Sequence, residues 1–311
     1  MKYSQFNSIL EYKDRGFVVY NSLVQKANFL DKALREILEQ KIEEGIDNLQ
    51  NIHPSFYEYL GKFGFLVNDD IDEIERVKEI SRKIDENPHV FLLTINPTMN
   101  CNFKCWYCYE THIRNSRPEK QTSLSIKNLI SNIADNPLLQ KFNLSFFGGE
   151  PLLYFKQDVI PIIDHYLSVC EEKKLSTNIS FTTNGYLVKD DLVNYFKKAG
   201  INPSFQITFD GCKEDHDTVR YLTKAKGSYN VIVQNIRKLI EAGFFVRARI
   251  NYTDKNIHNI LQIVDDFEDI QIDKKNKNLV FDFHRVWQND ASDDISDIMK
   301  ENARKRISDF S

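Results

Sequence analysis

The chain predicts an α/β fold: six parallel strands alternating with helices, preceded by a small α+β unit. Three observations point there. From residue 89 onward, apolar runs of strand length alternate with stretches whose apolar residues recur at helical spacing. The 311 residues, 41% hydrophobic and 28% charged, suffice for one large core, or for a large and a small one. Unusual residues gather at the C-terminal ends of the predicted strands, the face on which parallel α/β folds bind ligands.

Residues 1–87 read as the smaller unit. The order is a strand over Gly16 to Asn21 (GFVVYN), a helix over Leu30 to Lys41, and a helix ending in a turn over Ser55 to Gly64 (SFYEYLGKFG). A short strand, FLVN, and a charged helix, DEIERVKEISRKI, follow. That last helix reads as a solvated face laced with i,i+4 charge pairs. Asn87-Pro88 ends it, because proline drives the residue before it away from helical angles. The boundary falls there, and residues 88–311 form the larger unit.

In the larger unit the strands are VFLLTIN (90–96), LSFFGG (144–149), ISFTTNG (179–185), SFQITFDG (204–211), FVRARIN (245–251) and LVFDFHRVW (279–287). Helical patterns such as LSIKNLISNIA, VIPIIDHYLSVCEE, KDDLVNYFKKAG and YNVIVQNIRKLIEAG lie between them. Apolar strands joined by helices indicate a parallel sheet with helical crossovers. A barrel, or part of one, closes such a sheet; a doubly wound sheet has the same local pattern. Cys101 follows the first strand, and GGE (148–150), TTNG (182–185) and TFDG (208–211) end the next three. A shared site accounts for all four, whereas each glycine taken alone is only a turn out of a strand.

Charge and length exclude some functions. A formal charge of -4 and a pI near 6.0 offer no basic excess for a nucleic-acid backbone, so no nucleic-acid partner is expected. No apolar run approaches the roughly 20 residues of a membrane span, and the N-terminus has no apolar signal core, so a cytoplasmic protein without a membrane partner is expected. Three of the five cysteines fall within MNCNFKCWYCYET, at Cys101, Cys105 and Cys108. Such crowding favours a metal or redox site over a disulfide framework. Structural zinc takes four ligands, and Cys212 is the only candidate for a fourth near the same face. An iron-sulfur cubane on three thiolates instead leaves one iron open to a small molecule.

The CxxxCxxC spacing of CNFKCWYC, after a first strand, resembles the cluster loop of the radical S-adenosylmethionine (SAM) enzymes. The resemblance implies a partial (β/α)6 TIM-like barrel, a 4Fe-4S cluster on Cys101, Cys105 and Cys108, and SAM on the open iron. In that family, reduction of SAM releases a 5'-deoxyadenosyl radical that abstracts a substrate hydrogen. It also implies that Gly148, Gly149 and Glu150 bind the methionine ammonium, as a GGE motif, and that Tyr107 packs by the adenine. Asn184 and Thr208 match positions near the ribose and methionyl carboxylate, and Arg220, in DGCKEDHDTVR, pairs with that carboxylate. His216 and Asp217 of the same segment either cap a loop or touch a ligand. Val286 to Gln288 stand where the family completes its adenine pocket; Trp287 reads equally as core. His112 reads as a loop residue and Cys170 as a buried thiol on a helix.

The HDxxR segment and KGSYNVIVQNIRKL resemble the branch with cysteine-rich SPASM or twitch extensions, which includes sulfatase maturases and enzymes that crosslink ribosomal peptides. No cysteine follows Cys212, so a chain lacking that extension is expected, as a C-terminal truncation or as a one-cluster variant. Residues 1–87 resemble the upstream region of peptide maturases and, more loosely, small domains that bind a leader peptide as an added strand; a plain cap on the barrel is the alternative. The expected function is radical modification of a precursor peptide or protein, with an electron donor such as flavodoxin or ferredoxin. A sulfatase-maturase-like or small-metabolite enzyme and a non-catalytic leader-binding module are the alternatives. No catalytic side chain of the protein itself is assigned.

Overall fold

The computed structural model describes residues 1–11, 16–223, 226–253, 255–257, 259–272 and 278–286. Contacts divide the chain into two units, Met1–Asn87 and Pro88–Ser311. In the first, β1 (Lys2–Tyr3) pairs antiparallel with β5 (Leu66–Val67), while β2 (Asn7–Glu11), β3 (Phe17–Asn21) and β4 (Lys26–Leu30) form an antiparallel meander. Helices α1 (Lys32–Glu44), α2 (Leu49–Ile52), α3 (Pro54–Lys62) and α4 (Glu73–Asp85) complete it. Val19, Leu30, Leu38, Leu60 and Phe65 form its core.

The helix expected from Leu30 begins instead at Lys32. Leu30 ends β4 and is buried, and the Asp31 carboxylate caps the helix by accepting from the Leu34 N–H at 2.8 Å. Strands β1, β2 and β4 were not expected from the sequence. One buried amide, Asn21, ties this unit together. Its Nδ2 donates to Ser4 Oγ at 2.9 Å, Asn7 Oδ1 at 2.8 Å and the Gly64 carbonyl at 3.2 Å, while its Oδ1 accepts from the Leu23 and Val24 N–H groups. The charge pairs on helix α4 are not the expected i,i+4 ones but Glu75 with Lys78, three residues on, and Glu75 with Arg82, seven residues on; the helix also exposes Ile74, Val77, Ile80 and Ile84.

In the second unit six parallel strands stand side by side in sequence order: β6 (Val90–Ile95), β7 (Lys141–Phe146), β8 (Ser176–Thr183), β9 (Ser204–Phe209), β12 (Phe245–Tyr252) and β13 (Leu279–Arg285). A doubly wound sheet would reverse its order at a switch point, and this one never does. It is a partial (β/α)6 barrel. The main crossover helices are α5 (Lys120–Ala134), α6 (Ile160–Glu172), α7 (Asp190–Ala199) and α9 (Tyr229–Glu241).

The alternation of strand side chains decides what each face does. Phe146, Phe181 and Phe205 are buried and stack across β7, β8 and β9, with ring centroids 5.1 and 5.4 Å apart. The residues of opposite parity, Thr182, Gln206, Thr208, Arg249 and Asn251, line a cavity inside the sheet's curve. An apolar core on one face and a polar lumen on the other follow from one period-two pattern.

Between β9 and α9 the chain forms a helix, α8 (Lys213–Val219), and a hairpin, β10 (Tyr221–Thr223) with β11 (Lys226–Gly227). Two short helices, α10 (Gln262–Asp265) and α11 (Glu268–Ile272), precede β13. Among the described residues no helix is long and apolar enough to cross a membrane. Trp287, Gln288 and the C-terminal stretch lie outside the described residues.

Candidate active site

The loop from β6 to α5 holds Cys101, Cys105 and Cys108 in irregular backbone, and close approach to the end of β7 fixes it. The Glu150 N–H donates to the Asn100 carbonyl at 2.9 Å, Asn100 Nδ2 to the Tyr154 hydroxyl at 3.1 Å, and Thr98 Oγ1 to the Ser116 carbonyl at 2.6 Å. Gly149 sits at φ +51° at this junction. A Cβ there would overlap the Asn100 carbonyl oxygen and stand 2.8 Å from that of Thr98. Gly149→Ala therefore combines left-handed strain with a clash against backbone, and is expected to destabilise the unit by about 2–4 kcal/mol. Thermal denaturation of the iron-free protein measures it; an unchanged midpoint would mean that the loop is free to move away.

The three cysteines line one cavity of about 130 Å³, together with Tyr107, Gly148, Gly149, Asn184, Thr208 and Arg220. Seven residues expected to bind a cofactor were Tyr107, Gly148, Gly149, Glu150, Asn184, Thr208 and Arg220, and all but Glu150 are on this wall. Three thiols on one wall are one short of the four ligands of structural zinc and equal in number to those that hold a cubane with one iron left open. Burial pushes the Cys101 thiol up to about 12 and raises that of Cys105. Iron held there would reverse this, since it binds the thiolate form.

Glu150 is the one residue of those seven not on the wall. Its carboxylate is 0% exposed and accepts from the Leu152 N–H at 3.0 Å, Thr183 Oγ1 at 2.7 Å and the Asn184 N–H at 2.8 Å, the last two on the wall themselves. Burial raises its pKa and these donors oppose that. These bonds join the end of β7 to the end of β8 and so brace the cavity. The carboxylate that does line the cavity is Glu110, which accepts from the Gly149 N–H.

Beneath the cavity lies a buried network that sequence reading found only in part. Arg220, 8% exposed, pairs with Asp210, 4% exposed. The Tyr107 hydroxyl lies 2.7 Å from both Asp210 oxygens, receives Arg220 Nη2 at 2.6 Å and receives Asn251 Nδ2 at 3.1 Å. Burial works against the Arg220 charge, yet the Asp210 carboxylate outweighs it and holds the pKa well above the ordinary value. Arg220 was expected to meet a ligand carboxylate; here it already has a protein one. Tyr107, between Cys105 and Cys108, thereby anchors the cysteine loop to β9 and β12.

His216 and Asp217 cap structure. The His216 ring accepts from the Asp210 N–H at 3.3 Å and lies 2.9 Å from Ser228 Oγ, and Asp217 accepts from the Ser228 and Tyr229 N–H groups where α9 begins. Burial, with the Arg220 charge, pushes His216 down to about 3. The unfolded chain gains a proton below about pH 6.5 and the folded chain does not, so this stabilisation is lost as pH falls from about 6.5 towards 3. Between pH 6.5 and 4.5 the wild type should lose about 2–3 kcal/mol more than His216→Gln in denaturant unfolding. Equal losses would show the ring is not held neutral.

The remaining candidates separate clearly. Cys212 is buried with its thiol 3.3 Å from both Glu214 and Asp215, and is not on the cavity wall. Cys170 is a core thiol on α6. His112 is on the wall, with Nε2 3.4 Å from Cys108 Sγ. Asp210, Asn251 and Glu110 were missed; only the DG turn after β9 marked one of them in the sequence.

The Radical SAM superfamily model matches residues 95–267. A cysteine-type anaerobic sulfatase-maturating enzyme of Clostridium novyi is 32% identical over 181 residues, 56% of this chain and 44% of its own. The antilisterial bacteriocin subtilosin biosynthesis protein AlbA of Bacillus subtilis is 27% identical over 205 residues, 65% of this chain and 42% of its own. The chain thus spans less than half the length of these curated relatives. Among solved structures, native anSMEcpe with bound AdoMet and Kp18Cys peptide has a TM-score of 0.52 at 18% identity, over 62% of this chain and 51% of its own, a likeness of fold.

Proposed function

We propose, because this chain belongs to the radical SAM superfamily, that it is an enzyme using a 4Fe-4S cluster and SAM to modify a side chain of a precursor peptide or protein. The observation that carries this is the placing of three thiols and the glycine pair of the GGE motif on one cavity wall. When bound, the cluster supplies the electron that cleaves SAM to the radical that takes hydrogen from the substrate.

The chain's own residues then have distinct tasks. Cys101, Cys105 and Cys108 hold the cluster, and Gly148 and Gly149 allow the backbone to approach SAM closely. Asn184 and Thr208 offer hydrogen bonds to its polar atoms. Tyr107 and Arg220 keep the loop in place from below, and Glu150 braces two strand ends. A larger cavity adjoins this one and shares Tyr107, Cys108, Thr208 and Arg220 with it, which gives a substrate side chain a route to the reaction.

Relatives named for sulfatase maturation and for subtilosin biosynthesis favour a peptide or protein as substrate. The first unit, residues 1–87, suits the binding of a leader peptide: its three-stranded meander has β2 and β4 at its edges, and an extended peptide binds a sheet by adding a strand at an edge. A small reduced carrier of the flavodoxin or ferredoxin kind would supply the electron. Anaerobic reconstitution tests the proposal, with about four irons per chain and 5'-deoxyadenosine after reduction expected. Bound zinc, or a cluster that never cleaves SAM, would overturn it.

A further inference from the structure

We infer that the larger cavity contains a carboxylate-binding site centred on Arg249, which takes an acidic group of the peptide substrate; this rests on the peptide-modifying reading above. The cavity measures about 600 Å³, in the range of small-molecule sites. Arg249 lies on β12 in register with Thr208 of β9, and both line it. Its Nε donates to Asn251 Oδ1 at 3.2 Å, and its two terminal nitrogens have no partner among the described residues.

The charges around it leave that guanidinium unmatched. Among the described residues no carboxylate shares the wall of the larger cavity with Arg249. Asp210, below, is taken by Arg220 and Tyr107. Asp282, in register with Arg249 on β13, is 3.1 Å from Arg247 and 3.0 Å from His284. Phe147, Tyr109 and Val286 make other parts of the wall apolar, where a cation favours an anion over water.

Position separates Arg249 from the cofactor. Arg220 faces both cavities and carries its own counter-ion; Arg249 faces only the larger cavity, away from the thiols of Cys101 and Cys105. Asn251 holds it ready, since one amide end fixes Tyr107 and Asp210 while the other receives Arg249 Nε. A planar fork with two free donors, set in one orientation, fits a carboxylate in bidentate fashion. The substrate class is therefore a peptide with Asp, Glu or a free C-terminus at or beside the modified residue.

The test uses the reconstituted full chain with SAM and the blocked tripeptides Ac-Ala-Glu-Ala-NH2 and Ac-Ala-Gln-Ala-NH2, with binding read by saturation-transfer NMR. The acidic peptide should bind at least about 10-fold more tightly than its amide, and the gap should shrink to under about 2-fold in Arg249→Gln and be partly kept in Arg249→Lys. In the wild type, free acetate should suppress the advantage and acetamide should not, an arm that needs no variant to fold. Indistinguishable peptides, or a gap that persists in Arg249→Gln, would overturn the inference. So would a 10-fold weaker SAM affinity in that variant, by equilibrium dialysis, because the carboxylate would then be the cofactor's. SAM cleavage without peptide, on the same preparation, reports separately on the proposed function.

Discussion

Replacing Cys105 with alanine is expected to abolish 5'-deoxyadenosine formation, by at least about a thousandfold, and to drop bound iron to well under one cluster per chain. Among the described residues Cys101, Cys105 and Cys108 are the only thiols on the cavity wall, so each would supply one of three protein ligands. Loss of one leaves two, and neither Cys170 nor Cys212 can substitute. Cys170 lies in the core of α6, and Cys212 is buried against Glu214 and Asp215. The apo fold should survive the change, because the loop is anchored by Tyr107, Asn100 and Thr98 and not by Cys105. Iron content and turnover, set beside a Cys212→Ser control that keeps both, are the measurements. An alanine variant that retained a full cluster and cleaved SAM would remove these cysteines as the ligand set.

How far the sequence speaks for the structure depends on how local each signal is. The parallel sheet was legible because its strands are apolar and of similar length, and the cysteine loop because three thiols crowded into eight positions suit a metal or a cluster far better than a turn or a core. Strand β4 was not, because KANFL has no clean alternation and is made a strand by pairing with β3, a contact its own residues do not announce. The glycines of GGE were legible as turn-formers; the direction of Glu150 was not, because it depends on Thr183 and Asn184, more than thirty residues away. Asp210 and Asn251 are ordinary polar residues near strand ends. Only the fold shows that they share the hydroxyl of Tyr107, across 103 and 144 residues of sequence.

That shared hydroxyl makes Asp210→Ala the second large effect, and one of stability. The substitution leaves the Arg220 guanidinium, 8% exposed, without its carboxylate, and removes the acceptor of the Tyr107 hydroxyl and one of the two acceptors of Asn251 Nδ2. A buried charge that loses its partner destabilises by about 3–5 kcal/mol. Asp210→Asn should fall between, since an amide oxygen still accepts from Tyr107 but brings no charge. The double variant Asp210→Ala with Arg220→Met removes both charges and should regain part of the loss, because the isolated cation, more than the absent pair, is the penalty. Chemical unfolding of the iron-free protein reads this without interference from the cluster. A single-variant loss under about 1 kcal/mol would mean water reaches Arg220, and the buried lock beneath the cysteine loop would have to be given up.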